Sequence, residues 1–534
     1  MPSVSRFTVC AVLALRVLAH EASAQPSPPP DRGPAGPDPA AQPAPPADPA
    51  DRAPPAVPAA APPGPTAAPA GGAAGGSGWT SLRLLRDKGV ISEAEYASAV
   101  RDLGAMVGAG EATTLVVSKL ATTLYGYVEG NMFYDSTQSC QEFCGNAQIQ
   151  KPGTYRGDHG RTIFSPRNSR FGVRIAAPET HGIRVSGLIE TDFLGPTTTT
   201  EQGQWSNPVL RVRHAYVKLD TPIVDILIGQ TWNLFGQQPN YFVASVQRPG
   251  IPGQLFARTS QLKLGKTLRS HGVTTELAVA ANRPPQEDSS TPEGVASVRL
   301  LFDGWTGLHT GSLSSAVAIQ PASLAVSGDL RKFRIAEFSA TPQTGHVRIG
   351  GGVAFDAYLP IIPATKQAKA NALSLTGELA IGSGTSDTYL ALGAAGTRNA
   401  AIPSATAPAG LTYPANFDPG LAAYDATGHL ELIKWTSYVV GLDYYPPGMD
   451  GRLGVVASYG HIESSNAGKF GGAQVMDPAL GSTRDHESMI ELGGFVDPTS
   501  ATRIAAGGAV YSDRYVDGTT ARNYALGLVG WLFF

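Results

Sequence analysis

The sequence predicts an all-β protein, a transmembrane antiparallel β-barrel of about sixteen strands. Three observations carry this. From Leu115 to the C-terminus, polar and apolar residues alternate with period two, as in a strand that separates two environments. The connections between these runs alternate in length, as in bacterial barrels with tight turns at one end and loops at the other. Charged residues are only 16% of the 534, and glycines number 62, against about 25% charged in soluble domains. After the N-terminus no run of about 18 apolar residues occurs, so only a closed barrel satisfies its backbone in lipid. The net charge of −3 gives no basic field for nucleic acid.

Residues 1–24 read as an export signal. Arg6 supplies the positive start, Phe7 to Leu15 the apolar stretch, and Ala22-Ser23-Ala24 the small-residue cleavage site. Cys10 leaves with it. Residues 25–78 are almost wholly Pro, Ala, Gly and Asp; such a stretch buries no core and is expected to be a disordered periplasmic linker. Residues 79–108 form a short helical segment. Leu82, Leu85 and Val90 mark one piece; Ser92 and Glu95 make a capping box before Tyr96, Ala99, Val100 and Leu103. This pair is too small to stand alone and is expected to dock or self-associate.

The barrel is expected over 120–534. The first strands are Leu124–Phe133, Arg170–Ala177, Ile183–Phe193, Leu210–Leu219, Ile223–Gly229, Thr259–Thr267, Val273–Ala281 and Ala296–Phe302. Then come Leu330–Ser339, Val347–Tyr358, Ala372–Ile381, Leu430–Tyr444, Leu453–Glu463, Ser488–Val496, Thr502–Ser512 and Asn523–Phe534. Two weaker runs, Leu308–Ile319 and Thr388–Ala395, would raise the total to eighteen; both totals are even. Short turns are expected at Pro178, Asp220, Leu268, Thr341, Pro446 and Asp497. In the turn at Asp220-Thr221-Pro222, Pro fixes φ and Asp is placed to bond the following backbone. Long connections are expected over Asp135–Ser169, Leu194–Pro208, Gln230–Arg258 and Ser464–His486.

Cys140 and Cys144 remain after export, four residues apart. A small disulfide loop in an oxidising compartment is one reading and two free thiols the other. Their string offers too few ligands for a metal, and no metal or cofactor is expected.

In VLRVRHAYVKL, Leu210, Val212, His214 and Tyr216 alternate with Arg211, Arg213 and Ala215. His214 is therefore expected on the outer, apolar face, at an interface. The segment from Gln230, with Trp232, Phe235 and Tyr241, is too long and aromatic to be left in water and is expected to fold inward as a constriction. Arg170, Arg174, Arg211 and Arg213 lie opposite the apolar face, hence in the lumen, because an arginine facing lipid mid-membrane costs about 2–4 kcal/mol. Arg184 and Lys263 join them as pore-lining positions. Glu190 and Asp192 share the polar face of the neighbouring strand. The arginines serve either as a site for anionic solute or as braces paired to those acids.

SRFGVRIAAPE at Ser169, GLIETDFLG at Gly187, LRVRHAYVKL at Leu210 and IGQTWNLF at Ile228 resemble, in this order, the DcaP-like outer-membrane porins. The motifs of the resemblance run from Ser169 to Phe235 and fade after it, and the strand pattern extends the likeness to the C-terminus. It implies a homotrimeric diffusion channel of roughly sixteen strands in outer-membrane lipid, favouring small anions such as dicarboxylates. It places Arg170 and Arg174 in the family's SR-x-G-x-R strand, Arg211 and Arg213 in its LR-x-RHAY strand and Trp232 in its GQTW turn. The last strand puts Tyr524, Leu526, Leu528, Leu532 and Phe534 on one face, resembling the terminal signal read by the barrel-insertion machinery.

A barrel hydrolase is the main rival. It needs a nucleophile, base and carboxylate in reach, and the sequence has neither GxSxG nor HExxH. Gly265-Lys266-Thr267 sits on a strand, with Ser260 where a phosphate loop needs glycine. A surface adhesin is the other alternative, with the Pro/Ala stretch as its stalk.

Overall fold

The computed structural model describes residues 114–117, 120–141, 148–195, 209–238, 240–246, 248, 250–284, 290–310, 316–336, 343–392, 421–424, 429–469 and 484–534. The expected export signal, linker and helical segment lie outside these residues, as does Cys144.

Sixteen wall strands close into one antiparallel barrel. They are β1 (Leu120–Asp135), β2 (Arg161–Ser165 with Arg170–Ala176), β3 (Arg184–Asp192), β4 (Arg211–Asp220), β5 (Asp225–Trp232), β6 (Arg258–Ser270), β7 (Val273–Asn282) and β8 (Glu293–His309). The second half is β9 (Ala318–Ala336), β10 (Gly345–Ile362), β11 (Ala372–Ser383), β12 (Lys434–Tyr445), β13 (Leu453–Ser464), β14 (Arg484–Thr499), β15 (Thr502–Tyr515) and β16 (Thr520–Phe533). Each pairs with its sequence neighbour. Closure comes from β16 against β1, with Tyr127 opposite Phe533 and Asp135 opposite Ala525. Phe534 completes the seam through backbone bonds of 2.9 and 3.1 Å with Gly126. A short strand, Thr114–Val117, folds back on the start of β1.

The alternation sorts side chains as the period demands. On β16, Tyr524, Leu526, Leu528 and Leu532 are exposed outside, while Asn523, Ala525 and Val529 are buried inside. On β1, Leu124, Val128 and Met132 point out; Tyr127, Glu129, Asn131, Phe133 and Asp135 point in. An apolar belt running around the whole wall is far larger than a water-soluble surface carries. It is a lipid-facing band.

The turn end is built from local chemistry. Thr180 bridges Ile183 across His181 and Gly182, both at positive φ (53° and 75°). This is the type I′ geometry whose twist matches flanking strands. Ser270 and Val273 pair in the same way across His271 and Gly272 (51° and 78°). At Asp220-Thr221-Pro222 the bonding residue is Thr221, not Asp220. Its hydroxyl accepts from Ile223 N (3.2 Å) and Val224 N (3.1 Å) and donates to Val224 O (2.7 Å). The Asp220 carboxylate is taken by Lys218 at 2.5 Å.

Several expectations are corrected. Leu308–Ile319 adds no wall strand of its own: Leu308 and His309 end β8 and Ala318 and Ile319 begin β9, paired Leu308 with Ile319 and His309 with Ala318, while residues 311–315 lie outside the described residues. Thr388–Ala395 begins in two 3-10 turns, Ser386–Thr388 and Leu390–Leu392. The barrel has the sixteen strands expected, and the two weaker runs add none. Leu430–Leu432 is separate from β12 and pairs with Ala422–Tyr424. The connection at Thr341, expected as a short turn, joins β9 to β10 and so falls at the long-loop end.

Candidate functional site

The lumen wall over β2–β6 carries a continuous charged row. A β-bulge creates it. Glu190 pairs with His214 and Thr191 with Val212, so Arg213 has no opposite residue. The extra residue turns the strand. Arg211, Arg213 and then His214 all enter the lumen, and Val212 and Val217 face out. His214 is thus not an outer-face residue. It is 7% exposed, its Nδ1 sits 3.1 Å from Thr231 Oγ1, and its ring meets Trp232 edge-on at 5.4 Å. The bulge leaves carbonyls without ladder partners. The Gln230 amide fills them, donating to Val212 O (3.1 Å) and Arg213 O (3.2 Å). Gln230 and Trp232 lie on β5 itself, so the loop begins at Asn233 rather than Gln230.

The row links arginines through two acids. Arg211 donates to both Asp192 oxygens, at 3.0 and 2.7 Å. Arg213 donates to Glu190 (2.7 Å) and Asp192 (3.1 Å). Arg170 lies 3.5 Å from Glu190, whose other oxygen accepts from Tyr125 OH at 2.9 Å. Glu190 and Asp192 are almost wholly enclosed, whereas the Arg211 and Arg170 side chains keep 17% and 20% of their surface. Arg174 rests over the Tyr125 ring at 5.4 Å. Lys263 is half-buried on the same wall, between Leu227 and Ala280.

Arg184 is not in this row. It starts β3 at the turn end and pairs with Glu179 at 3.2 Å. Asp192 is eight residues along the strand, or roughly 27 Å at a strand's rise. Sequence parity placed Arg184 on the right face but not at the right height.

One arginine of the row was missed. Arg258 opens β6 directly opposite Trp232. Its guanidinium stacks over Trp232 (4.8 Å) and Phe256 (5.7 Å). It makes no ion pair among the described residues, and its Nη1 has no hydrogen-bond partner. Arg170, Arg211, Arg213 and Asp192 are all in electrostatic reach. The row thus holds four arginines and two acids, a net charge of +2. The one available signal was its place beside the aromatic loop, where the sequence marks only a loop boundary.

The chain between β5 and β6 crosses the lumen. Asn233 N bonds Ala257 O at 3.0 Å, which closes its base. Trp232, Phe242 and Phe256 pack edge-to-face at 4.9–5.4 Å just beyond. Phe235 and Tyr241 are 2% and 0% exposed. The far contacts are specific: Gly236 N to Ser327 Oγ (2.9 Å), Tyr241 OH to Ser323 Oγ (3.0 Å), Leu255 N to Glu378 (2.7 Å) and Ser245 Oγ to Glu491 (2.7 Å). These partners lie on β9, β11 and β14; β14 is across the ring from the loop's root. Arg248 reaches Asp135 on β1 with bonds of 2.9 and 2.7 Å. At the turn end, a cavity of about 800 Å³ opens between Thr267, Arg269, Thr274, Glu276 and Asp303.

Cys140 is fully buried and disulfide-bonded. Asn523 Nδ2 lies 3.5 Å from its sulfur, so this point of the β1–β2 loop is tied to β16.

A closed wall, apolar outside and charged inside, with one loop laid across the lumen, is the architecture of a porin-type barrel. No family model matches the chain, and no curated protein sequence matches it. Solved structures do. The outer membrane channel DcaP of Acinetobacter baumannii is 17% identical with a TM-score of 0.55; the match covers 79% of this chain and 100% of that one. An anion-selective porin from Comamonas acidovorans is 12% identical, with a TM-score of 0.45, over 78% of this chain and 100% of that one. OprB of Pseudomonas putida is 10% identical, with a TM-score of 0.43, over 77% and 94%. The DcaP match is one of fold, and it agrees with the DcaP-like strings of the sequence.

Proposed function

We propose that the chain is an outer-membrane porin that passes small hydrophilic solutes and prefers small anions, dicarboxylates among them. The observation that carries this reading is the row of four arginines and two acids at the root of a loop that narrows the lumen. Positive charge inside a low-dielectric wall concentrates anions, and guanidinium groups bind carboxylates through paired hydrogen bonds. The loop from Asn233 to Ala257, with Phe235 and Tyr241 as anchors, is the constriction. The rest of the proposal joins the sequence's own export and linker signals to the resemblance. The barrel assembles as a homotrimer, residues 1–24 direct export, residues 25–108 stay in the periplasm, and Phe534 ends the strand read by the insertion machinery. Single-channel conductance in planar bilayers, with the reversal potential in a salt gradient, tests it. Open channels with a reversal potential on the anion side are expected. A tight barrel or cation selectivity would overturn it.

A further inference from the structure

We propose a transition-metal site on the outer wall at the long-loop end, formed by His461 and Glu463 of β13 and His486 of β14. It is independent of the pore reading. His461 and Glu463 are two apart on one strand, so both project outward, and Glu463 stands directly opposite His486 in the ladder. One ligand atom from each lies within 4.8 Å of the other two. His461 Nε2 is already 3.6 Å from the Glu463 carboxylate, and the two imidazoles meet edge-to-face at 4.4 Å. Zinc holds nitrogen and carboxylate oxygen at about 2.0–2.2 Å, which places tetrahedral neighbours near 3.4 Å. The half-exposed Glu463 has room to turn toward the His461 ring.

Each imidazole keeps one ring nitrogen without a hydrogen-bond partner among the described residues. His461 is 7% exposed, yet its Nδ1 has no hydrogen-bond partner, and neither has Nδ1 of His486. Burying such a group costs about 1–3 kcal/mol, which coordination through that same Nδ1 would offset. The ring of His461 is fixed from outside by Tyr438, stacked at 4.7 Å and 24°. Behind it the wall is fixed from the lumen. Gly253 of the inward loop lies against the His461 backbone so closely that a Cβ there would stand 2.2 Å from His461 O. The nearby Arg514 is occupied by Asp485 at 3.1 Å, which limits its repulsion of a cation.

Two imidazoles and one carboxylate select a borderline metal such as Zn²⁺ over Ca²⁺ or Mg²⁺, which take oxygen ligands. Three protein ligands leave a position open toward the outside. Bound there, the metal ties β13 to β14 at the root of the 465–483 connection.

The test is calorimetric titration of ZnCl₂ into the full-length, detergent-purified, chelator-stripped protein. One zinc per chain is expected. A His461→Gln/His486→Gln variant should lose that equivalent while keeping wild-type conductance. The exposed Glu463→Gln variant guards against a folding defect in the double variant. It should weaken zinc by at least ~10-fold, since even second-shell changes cost that much. No zinc bound by the wild type, or equal affinity in Glu463→Gln, would overturn the proposal.

Discussion

Arg248 and Asp135 form a two-toothed ion pair in which neither side chain reaches solvent. One belongs to the inward loop and the other to the first wall strand. The guanidinium also lies 4.3 Å over the Phe133 ring. This pair anchors the loop to β1. Removing one partner of a buried pair leaves an uncompensated charge, at about 3–5 kcal/mol. Arg248→Ala is therefore expected to lower the temperature of barrel unfolding on a heat-modifiability gel. It should also raise conductance as the loop comes away. Removing both charges, in Asp135→Asn/Arg248→Met, should recover most of the stability. Unchanged melting in Arg248→Ala would show that the pair anchors nothing.

The bulge at Arg213 depends on Gln230. Its amide satisfies two carbonyls that the ladder leaves free. Gln230→Leu removes that donor while keeping bulk, so a loss of roughly 0.5–1.5 kcal/mol is expected. Denaturant unfolding of the purified barrel measures it. Wild-type stability would mean that water replaces the amide without cost.

The wall was legible because its signal is periodic and repeated. Alternation over Leu526, Leu528 and Leu532 assigns faces with no knowledge of the partner strand. The departures arise where one residue breaks the period. Parity placed His214 outside because the bulge inserts Arg213 without a change in composition. The row itself was half legible. Arg170, Arg211 and Arg213 stood beside Glu190 and Asp192 in the alternation, whereas Arg258 joins them only through the ladder contact with Trp232. The height of Arg184 and the weak run at Leu308–Ile319 failed for a common reason: strand ends depend on where the chain turns, and period two continues past them.

Cys140 offers a chemical test. It is disulfide-bonded, and Cys144 is the proposed partner. Intact mass of the unreduced, alkylated protein should show no modified thiols after export. By loop-closure entropy a bridge this short contributes only about 2 kcal/mol. Cys140→Ser/Cys144→Ser should therefore still insert and conduct, with a modest loss of thermal stability. Two alkylated thiols in protein taken from the membrane would refute the pairing.

The arginine row makes the sharpest prediction about transport. Arg213 is its keystone, bonded to both acids, so its removal would strand Glu190 and Asp192 and confuse folding with selectivity. Arg211 and Arg258 are the better probes. Asp192 keeps Arg213 when Arg211 is lost, and Arg258 has no acid partner among the described residues. Changing both to Ala takes the local charge from +2 to 0, two arginines then standing against two acids. A unit charge acting at ~4 Å through water is worth about 1 kcal/mol, roughly fivefold in local anion occupancy. The reversal potential in a salt gradient should move toward cations in each single variant and further in the double, with conductance retained. The shift should be largest in dilute salt, where the screening length approaches ~30 Å at 0.01 M. Arg184→Ala is the internal control: the same charge change at the turn end, about 27 Å along the strand from Asp192, should move the potential far less. Equal shifts from Arg184→Ala and Arg258→Ala would assign selectivity to the overall lumen charge and leave the row as a brace of the wall.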